Sequence, residues 1–167
     1  MNENLATTRL LLRKYTAADR EIVADFFTDE TVAKYMANGP SDSREDAFEL
    51  FDAFFTVYEN TSGLHYEIWG IEFEGELIGH LELKKSKVTL LNELEVVYLL
   101  NPPFWNRGLM TEALLKVREH ARSHQKILIA QVKSKNEASL SVLDKIGVLD
   151  IYHHDEAKDI LKVTLLP

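Results

Sequence analysis

Apolar residues recur along this chain at two spacings, every second position and every third or fourth, and the switches between them mark the elements. Arg9 to Tyr15 alternates enough to serve as an opening strand. Thr16 with Asp19 has capping-box spacing for a helix that carries Ile22, Val23, Phe26 and Phe27 on one stripe. A short helix is predicted over Glu30 to Met36, ending by Asn38-Gly39-Pro40, which cannot continue one. Ser43 to Tyr58 reads as a longer helix, with Ser43 and Asp46 at cap spacing, Phe48, Phe51, Phe55 and Tyr58 at helical intervals, and Phe54 beside that stripe. After a turn at Asn60-Thr61-Ser62-Gly63, Tyr66 to Phe73 and Leu77 to Leu83 form a hairpin through Glu74-Gly75. Lys84 to Asn92 is a connection or strand extension, and Glu93 to Leu100 is the next strand. A helix from Gly108 to Arg122 puts Met110, Leu114, Val117 and Ala121 on one side. Ile127 to Val132 fits a buried strand, and Ser139 to Ile146 a helix stopped by Gly147. Tyr152 and Ile160 to Leu166 complete a sheet, with His153 to Asp159 as the polar turn between them. This order of strands and helices predicts an α/β or α+β layered domain.

The chain has 167 residues, 46% of them hydrophobic, which suits a single domain over 1–167 with one well-buried core and is too short for two comfortable ones. It contains no cysteine, so no disulfide, thiolate nucleophile or thiolate-bound zinc is available, and a reducing compartment is compatible. No basic leader with an apolar core and no run of membrane-spanning length is present, so a soluble cytoplasmic protein with no membrane partner is expected. Lys and Arg number 19 against 27 Asp and Glu, a net charge of −8, which argues against nucleic-acid binding. The same field favours a cationic acceptor such as an amine, and it also keeps a protein soluble. His153-His154 with Asp155 is the one histidine cluster, and its alternating side chains make a poor metal site, so no metal is expected.

The chemistry concentrates where the strand ending at Leu100 runs into the polar turn Asn101-Pro102-Pro103 and out again as a helix near Gly108. A helix start leaves backbone N–H groups unpaired at its positive end, where an anion is the natural ligand. Arg107 adds a full charge, and Gly108 lets a phosphate approach the main chain.

Asn101-Pro102-Pro103-Phe104-Trp105-Asn106-Arg107-Gly108-Leu109-Met110-Thr111-Glu112-Ala113-Leu114 resembles the acetyl-CoA pyrophosphate loop of the GNAT acetyltransferase superfamily, in the branch of the RimJ/RimL ribosomal-protein N-terminal acetyltransferases. Asn136-Glu137-Ala138-Ser139-Leu140-Ser141-Val142-Leu143-Asp144-Lys145-Ile146-Gly147 is similar to that branch's N-x-x-S-x-x-V-L-x-K-x-G segment, and Thr8-Arg9-Leu10-Leu11-Leu12-Arg13 to its first strand. With Trp69-Gly70-Ile71 and Leu77-Ile78-Gly79 the resemblance covers nearly the whole chain. It implies the GNAT fold, a mixed central sheet of about six to seven strands flanked by helices, with the fourth and fifth strands splayed around the cofactor. The implied activity is transfer of an acetyl group from acetyl-CoA to a primary amine, a protein N-terminus or a small molecule, by direct attack and without a metal. A homodimer is left open.

The resemblance also implies roles. Leu100 would pair its backbone with the pantetheine arm, Trp105 belongs to the cofactor loop, and the amides of Arg107, Gly108, Met110 and Thr111 surround the pyrophosphate. Asn136 contacts the cofactor arm or caps the helix that follows, and Ser139 stabilises or protonates the leaving thiolate. Glu95 is the base, with Glu93 on the same side of the strand as a carboxylate able to raise its basicity; an exposed strand edge is the alternative reading. Tyr35, Met36, Asn38, His80, Glu82 and Tyr98 are the expected acceptor contacts. The chain departs from the family pattern at Leu143, where many members place Tyr, and at Met110, where a smaller residue is usual. Asn106 replaces a common Gly, and Val148 a common Phe. Should Met110 crowd the pyrophosphate, a non-catalytic binding or dimerisation module is the rival reading.

Overall fold

The alternating segments hydrogen-bond into one sheet. The computed structural model describes residues 3–60 and 66–167, so the turn expected at Asn60 to Gly63 lies outside the described residues except for Asn60 itself. Among the described residues the strands are Leu5–Ala6 (β1), Leu10–Arg13 (β2), Tyr66–Phe73 (β3), Glu76–Lys84 (β4), Glu93–Leu100 (β5), Ile127–Lys133 (β6), Val148–Asp155 (β7) and Ile160–Leu165 (β8), and the helices are Arg20–Thr28 (α1), Glu30–Ala33 (α2), Arg44–Asn60 (α3), Leu109–Ser123 (α4) and Glu137–Ile146 (α5). The sheet is mixed, with order β1-β2-β3-β4-β5-β6-β8-β7. This is the GNAT fold with eight strands rather than the expected six to seven. The two-residue β1, paired through Leu5 with Leu12, is too short to show a period. Strand β7 also starts earlier and runs on through His153 and His154, paired with β8 across two register shifts. Most of its side chains are exposed, so it carries no inside-outside alternation to read.

Local chemistry explains the helix starts. The Asp19 carboxylate accepts the Thr16 N–H at 2.7 Å and the Thr16 hydroxyl at 2.9 Å, and it also pairs with Arg13. At α3 the Ser43 hydroxyl accepts the Asp46 N–H at 3.1 Å while donating to the Asp46 carboxylate at 2.7 Å. Helix α2 stops at Ala33, short of the predicted Met36, because the chain tightens into turns: Met36 N–H bonds to the Ala33 carbonyl, Gly39 N–H to that of Met36, and Gly39 takes a φ of 70°.

All neighbouring strands are antiparallel except β5 and β6, which run parallel through the α4 crossover and pair at only three positions, Glu93 with Ile127, Leu94 with Leu128 and Glu95 with Ile129. Alternation along β5 divides its side chains between two cores. Leu94, Val96, Tyr98 and Leu100 pack towards Leu109, Leu114 and Val117 of α4 and Leu143 of α5. Leu99 packs on the other side with Tyr15, Phe27, Phe51 and Phe54. Glu93, Glu95 and Val97 share the face of Leu99, as do the β4 residues opposite them, His80, Glu82 and Lys84.

The end of β5 is drawn against β4 by a bulge. Pairing of β3 with β4 shifts register between Ile71 and Glu72, and the Ile78 carbonyl accepts the Asn101 N–H at 2.8 Å. Gly79 makes this approach possible, since a Cβ there would sit 2.6 Å from the Leu99 carbonyl oxygen and 3.0 Å from Leu100 Cδ1. Gly79→Ala is therefore expected to cost about 1–3 kcal/mol as overpacking, read as a Tm several degrees lower in a thermal melt. An unchanged Tm would mean that the two strands part without cost.

Candidate active site

The site starts from the short parallel ladder. Asn101 turns its N–H towards β4, so strand alternation turns the peptide groups of Tyr98 and Leu100 the other way, towards β6, beyond the last paired residues Glu95 and Ile129. The main chain of β5 thus presents hydrogen-bonding groups along a widening gap. The Leu100 carbonyl is engaged by the protein itself, accepting the Trp105 indole N–H. Trp105, expected at the cofactor, ties the loop back onto the strand, and of Leu100's two backbone groups it is the N–H that faces the gap.

The loop after β5 reverses through left-handed backbone at Asn106, φ 58°, and Gly108, φ 73°. Asparagine tolerates this conformation better than most side chains, and glycine without penalty. Gly108 then caps α4 without any side chain, so the first amides of the helix point outward uncovered. Met110 is buried in the core beside Leu109, and its side chain does not crowd these amides. Thr111 is half-buried in the same first turn. The exposed Arg107 guanidinium, expected to add a positive charge, lies over the rings of Phe73 at 4.8 Å and Phe104 at 5.5 Å, and it keeps its charge there.

Two residues whose roles the sequence did not reveal brace this loop. Glu112, in the first turn of α4, accepts the Thr7 hydroxyl at 2.6 Å, the Arg9 N–H at 2.8 Å and Arg9 Nε at 2.7 Å. Arg9 Nη1 also donates to the Arg107 carbonyl at 3.1 Å. Burial alone would raise the Glu112 carboxyl, but the donors from Thr7 and Arg9 outweigh it and hold the group below its usual range. Both residues stand inside the family-like segments, yet only the fold brings β2 and α4 together.

On the far side of the gap Asn136 caps α5, its Oδ1 accepting the Ser139 N–H at 3.2 Å. Ser139 Oγ lies 2.6 Å from the Tyr98 hydroxyl, which burial pushes up to about 12 against the opposing effect of the Ser139 hydrogen bond. Tyr98 was expected among the acceptor contacts. Alternation puts it on the opposite face of β5 from Glu95, and it joins Ser139 instead. Leu143 is fully buried in the core.

The other face of the sheet carries a second group of buried ionisable side chains. Glu95 is only 6% exposed, which excludes the solvated strand edge; Oε1 accepts Gln131 Nε2 at 3.0 Å, and Oε2 is buried without a hydrogen-bond partner among the described residues. Glu93, expected to raise the basicity of Glu95, is committed elsewhere, to Lys162 Nζ at 2.8 Å and the Leu90 N–H at 2.9 Å. Beside Glu95, a buried relay runs from the Tyr15 hydroxyl to His80 Nδ1 at 2.7 Å and from His80 Nε2 to Glu82 Oε1 at 2.8 Å, while Lys84 Nζ reaches Glu82 Oε2 at 3.2 Å. Burial would raise Glu82, but the hydrogen bond and charge of His80, joined by Lys84, hold it down at about 2. Phe54 stacks on His80 with ring centres 5.1 Å apart.

The expected acceptor loop is divided. The Tyr35 hydroxyl reaches the Lys135 carbonyl, next to Asn136, at 3.4 Å, Met36 packs on the aromatic core, and Asn38 is exposed in its turn. His153 and His154 stand exposed on β7 rather than in a turn.

The parallel ladder ends after Glu95, the first turn of α4 carries no side-chain cap, and Ser139 is held by Asn136 and Tyr98. Residues 9–148 match the family model of the Acetyltransferase (GNAT) domain, and the chain belongs to this family of acyltransferases. The uncharacterized N-acetyltransferase YoaA of Bacillus subtilis (strain 168) is 30% identical over 151 residues, 86% of this chain and 81% of YoaA. Two solved structures share the fold. Mycobacterium smegmatis RimJ in complex with CoA-disulfide has a TM-score of 0.79 at 16% identity, covering 99% of this chain and 87% of that one. Spermidine N-acetyltransferase from Vibrio cholerae in complex with CoA and spermine has a TM-score of 0.77 at 15% identity, covering 96% of each chain.

The depressed Glu82 carboxyl makes a stability prediction. Its stabilisation is present above the ordinary value of 4.5 and is lost as pH falls towards about 2. Glu82→Gln removes the ionised acceptor, so the Tm gap between the natural protein and this variant is expected to be widest near neutral pH and to close on acidification through that window. A gap that does not vary with pH would show that Glu82 acts by shape alone.

Proposed function

We propose that this GNAT acetyltransferase uses acetyl-CoA to acetylate a primary amine by direct attack, in the manner of the RimJ/RimL branch. The observation that carries the reading is the opening between β5 and β6, with main-chain groups along one wall, helix amides at its end and the buried Glu95 carboxylate on the acceptor face. Acetyl-CoA would supply the activated acyl group. The residues present fit it: the backbone of Tyr98 and the N–H of Leu100 suit the amides of a pantetheine arm, and the backbone amides of Arg107, Gly108, Met110 and Thr111 suit a diphosphate. With Met110 turned into the core, the reason to favour a non-catalytic module falls away.

Glu95 takes the proton of the acceptor ammonium through its unpartnered Oε2, directly or by way of a water. As the C–N bond forms and the C–S bond breaks, the electron pair would go to sulfur, where the Ser139 hydroxyl would donate a hydrogen bond at the positive end of α5, and the nitrogen's second surplus proton would pass to the thiolate so that coenzyme A leaves as its thiol. Holding the two reactants at this junction supplies much of the acceleration. His80 and Glu82 border the acceptor, and the ionised Glu82 together with the net charge of −8 suits a cationic one. A protein N-terminus and a polyamine both meet that requirement. The printed names of the RimJ and spermidine acetyltransferase structures support the same two classes.

Acetyl-CoA at a hundredfold excess over its Kd is expected to stabilise the protein by about 2.7 kcal/mol, seen as a clear rise in Tm; no rise at millimolar concentration would refute the reading. A panel of peptides with free N-termini and of polyamines, followed by release of free thiol, then identifies the acceptor. Glu95→Gln is expected to lower kcat by roughly a hundredfold or more, with the largest loss at low pH, where the amine is hardest to deprotonate. An unaltered pH–rate profile would remove Glu95 from the chemistry.

A further inference from the structure

We propose that Tyr98 is a positioning residue for Ser139: its phenol occupies the serine oxygen so that the serine's own proton points at the sulfur leaving the acyl donor. The inference rests on the transferase reading above and adds a residue to it. The contact between the two hydroxyls is 2.6 Å, and one of the oxygens must donate. Burial keeps the phenol protonated up to about 12, so through the neutral range Tyr98 has an O–H to donate, and in the proposed arrangement that proton goes to Ser139 Oγ. A serine hydroxyl that accepts from one side retains its single proton for another partner.

The serine is held twice. Its N–H is bound by Asn136 Oδ1 at 3.2 Å, which fixes the main chain in the first turn of α5, and its side chain is bound by Tyr98, which fixes the rotamer. Neither constraint comes from the same element: Asn136 belongs to the loop before α5, while Tyr98 stands on β5 past the last residue paired with β6. The tyrosine therefore bridges the opening between the diverging strand and the helix. Packing alone does not require this hydroxyl, because the ring of Tyr98 already lies against the core that holds Val96 and Leu100. A phenol oxygen in that environment is favourable only with a partner, and Ser139 supplies it through Oγ and, at 3.5 Å, through its carbonyl. Lys135 and Glu137 flank Asn136 in the chain, Tyr35 reaches the Lys135 carbonyl, and Glu95 stands on the opposite face of β5. Tyr98→Phe leaves all four residues in place.

The test reads the thiol of bound coenzyme A by thiolate ultraviolet absorbance across pH, for the natural protein, Tyr98→Phe, Ser139→Ala and the double variant. In the natural protein the bound thiol is expected to ionise at lower pH than free coenzyme A. Each single variant should reduce the thiolate equilibrium constant about tenfold or more, the range of a hydrogen bond to a charged group. The double variant should fall no further than Ser139→Ala alone, because Tyr98 acts through the serine. In turnover, Tyr98→Phe should lower kcat with the KM for acetyl-CoA unchanged. The proposal is overturned if Tyr98→Phe leaves thiol ionisation unaltered, or if it weakens it by the same factor when Ser139 is already alanine. Absence of any thermal shift with coenzyme A overturns the transferase reading itself, and that outcome is distinct from tight binding without a shift in thiol ionisation.

Discussion

The parallel ladder between β5 and β6 ends after Glu95 and Ile129, and the rest of the molecule is arranged around that ending. Each strand is anchored on its other side, β5 by β4 and β6 by β8, so neither needs the other to keep its shape. What they give up is hydrogen bonding along the second half of β5. Backbone donors and acceptors inside a protein are costly to leave unmade. An interior opening lined by them is stable when water or a ligand with complementary amides fills it.

Strand alternation then sends the side chains of β5 to two different cores. Even-numbered residues of β5 face α4 and α5, where Tyr98 meets Ser139, and odd-numbered residues face the aromatic core, where Glu95 lies near the His80–Glu82 relay. Glu95 and Ser139, the base and the thiolate partner of the proposed reaction, thus stand on opposite sides of a single strand. Their separation follows from the pleat and needs no flexible loop to maintain it.

Much of this is legible in the sequence where the signal is local. Thr16 with Asp19 and Ser43 with Asp46 make the contacts their spacing announces, α4 begins next to Gly108 as expected, and the strands around the hairpin fall within a residue or so of their predicted ends. The family-like segments place the loop and the serine. What the sequence hides is partnership across long separations. Glu93 reads as a neighbour of Glu95 until β8 brings Lys162 to it, and the rings of Phe73 and Phe104 under the Arg107 guanidinium come from a distant strand and the loop before α4. Tyr98 could be placed on a face only once the register of β5 was known. β7 was expected only around Tyr152, and its full extent escaped because its side chains are exposed on both faces, leaving no alternation to read.

The brace of Arg9 and Glu112 carries a consequence for how the site comes into being. Thr7 and Arg9 grip Glu112 and the Arg107 carbonyl across about a hundred residues of chain, so the loop before α4 and the amino-terminal strands hold one another in place. The shape of the loop and the seating of those strands are therefore thermodynamically linked. A fusion tag or truncation that loosens the strands would free the loop at a distance, and anything that binds the loop would in turn protect the strands from fraying.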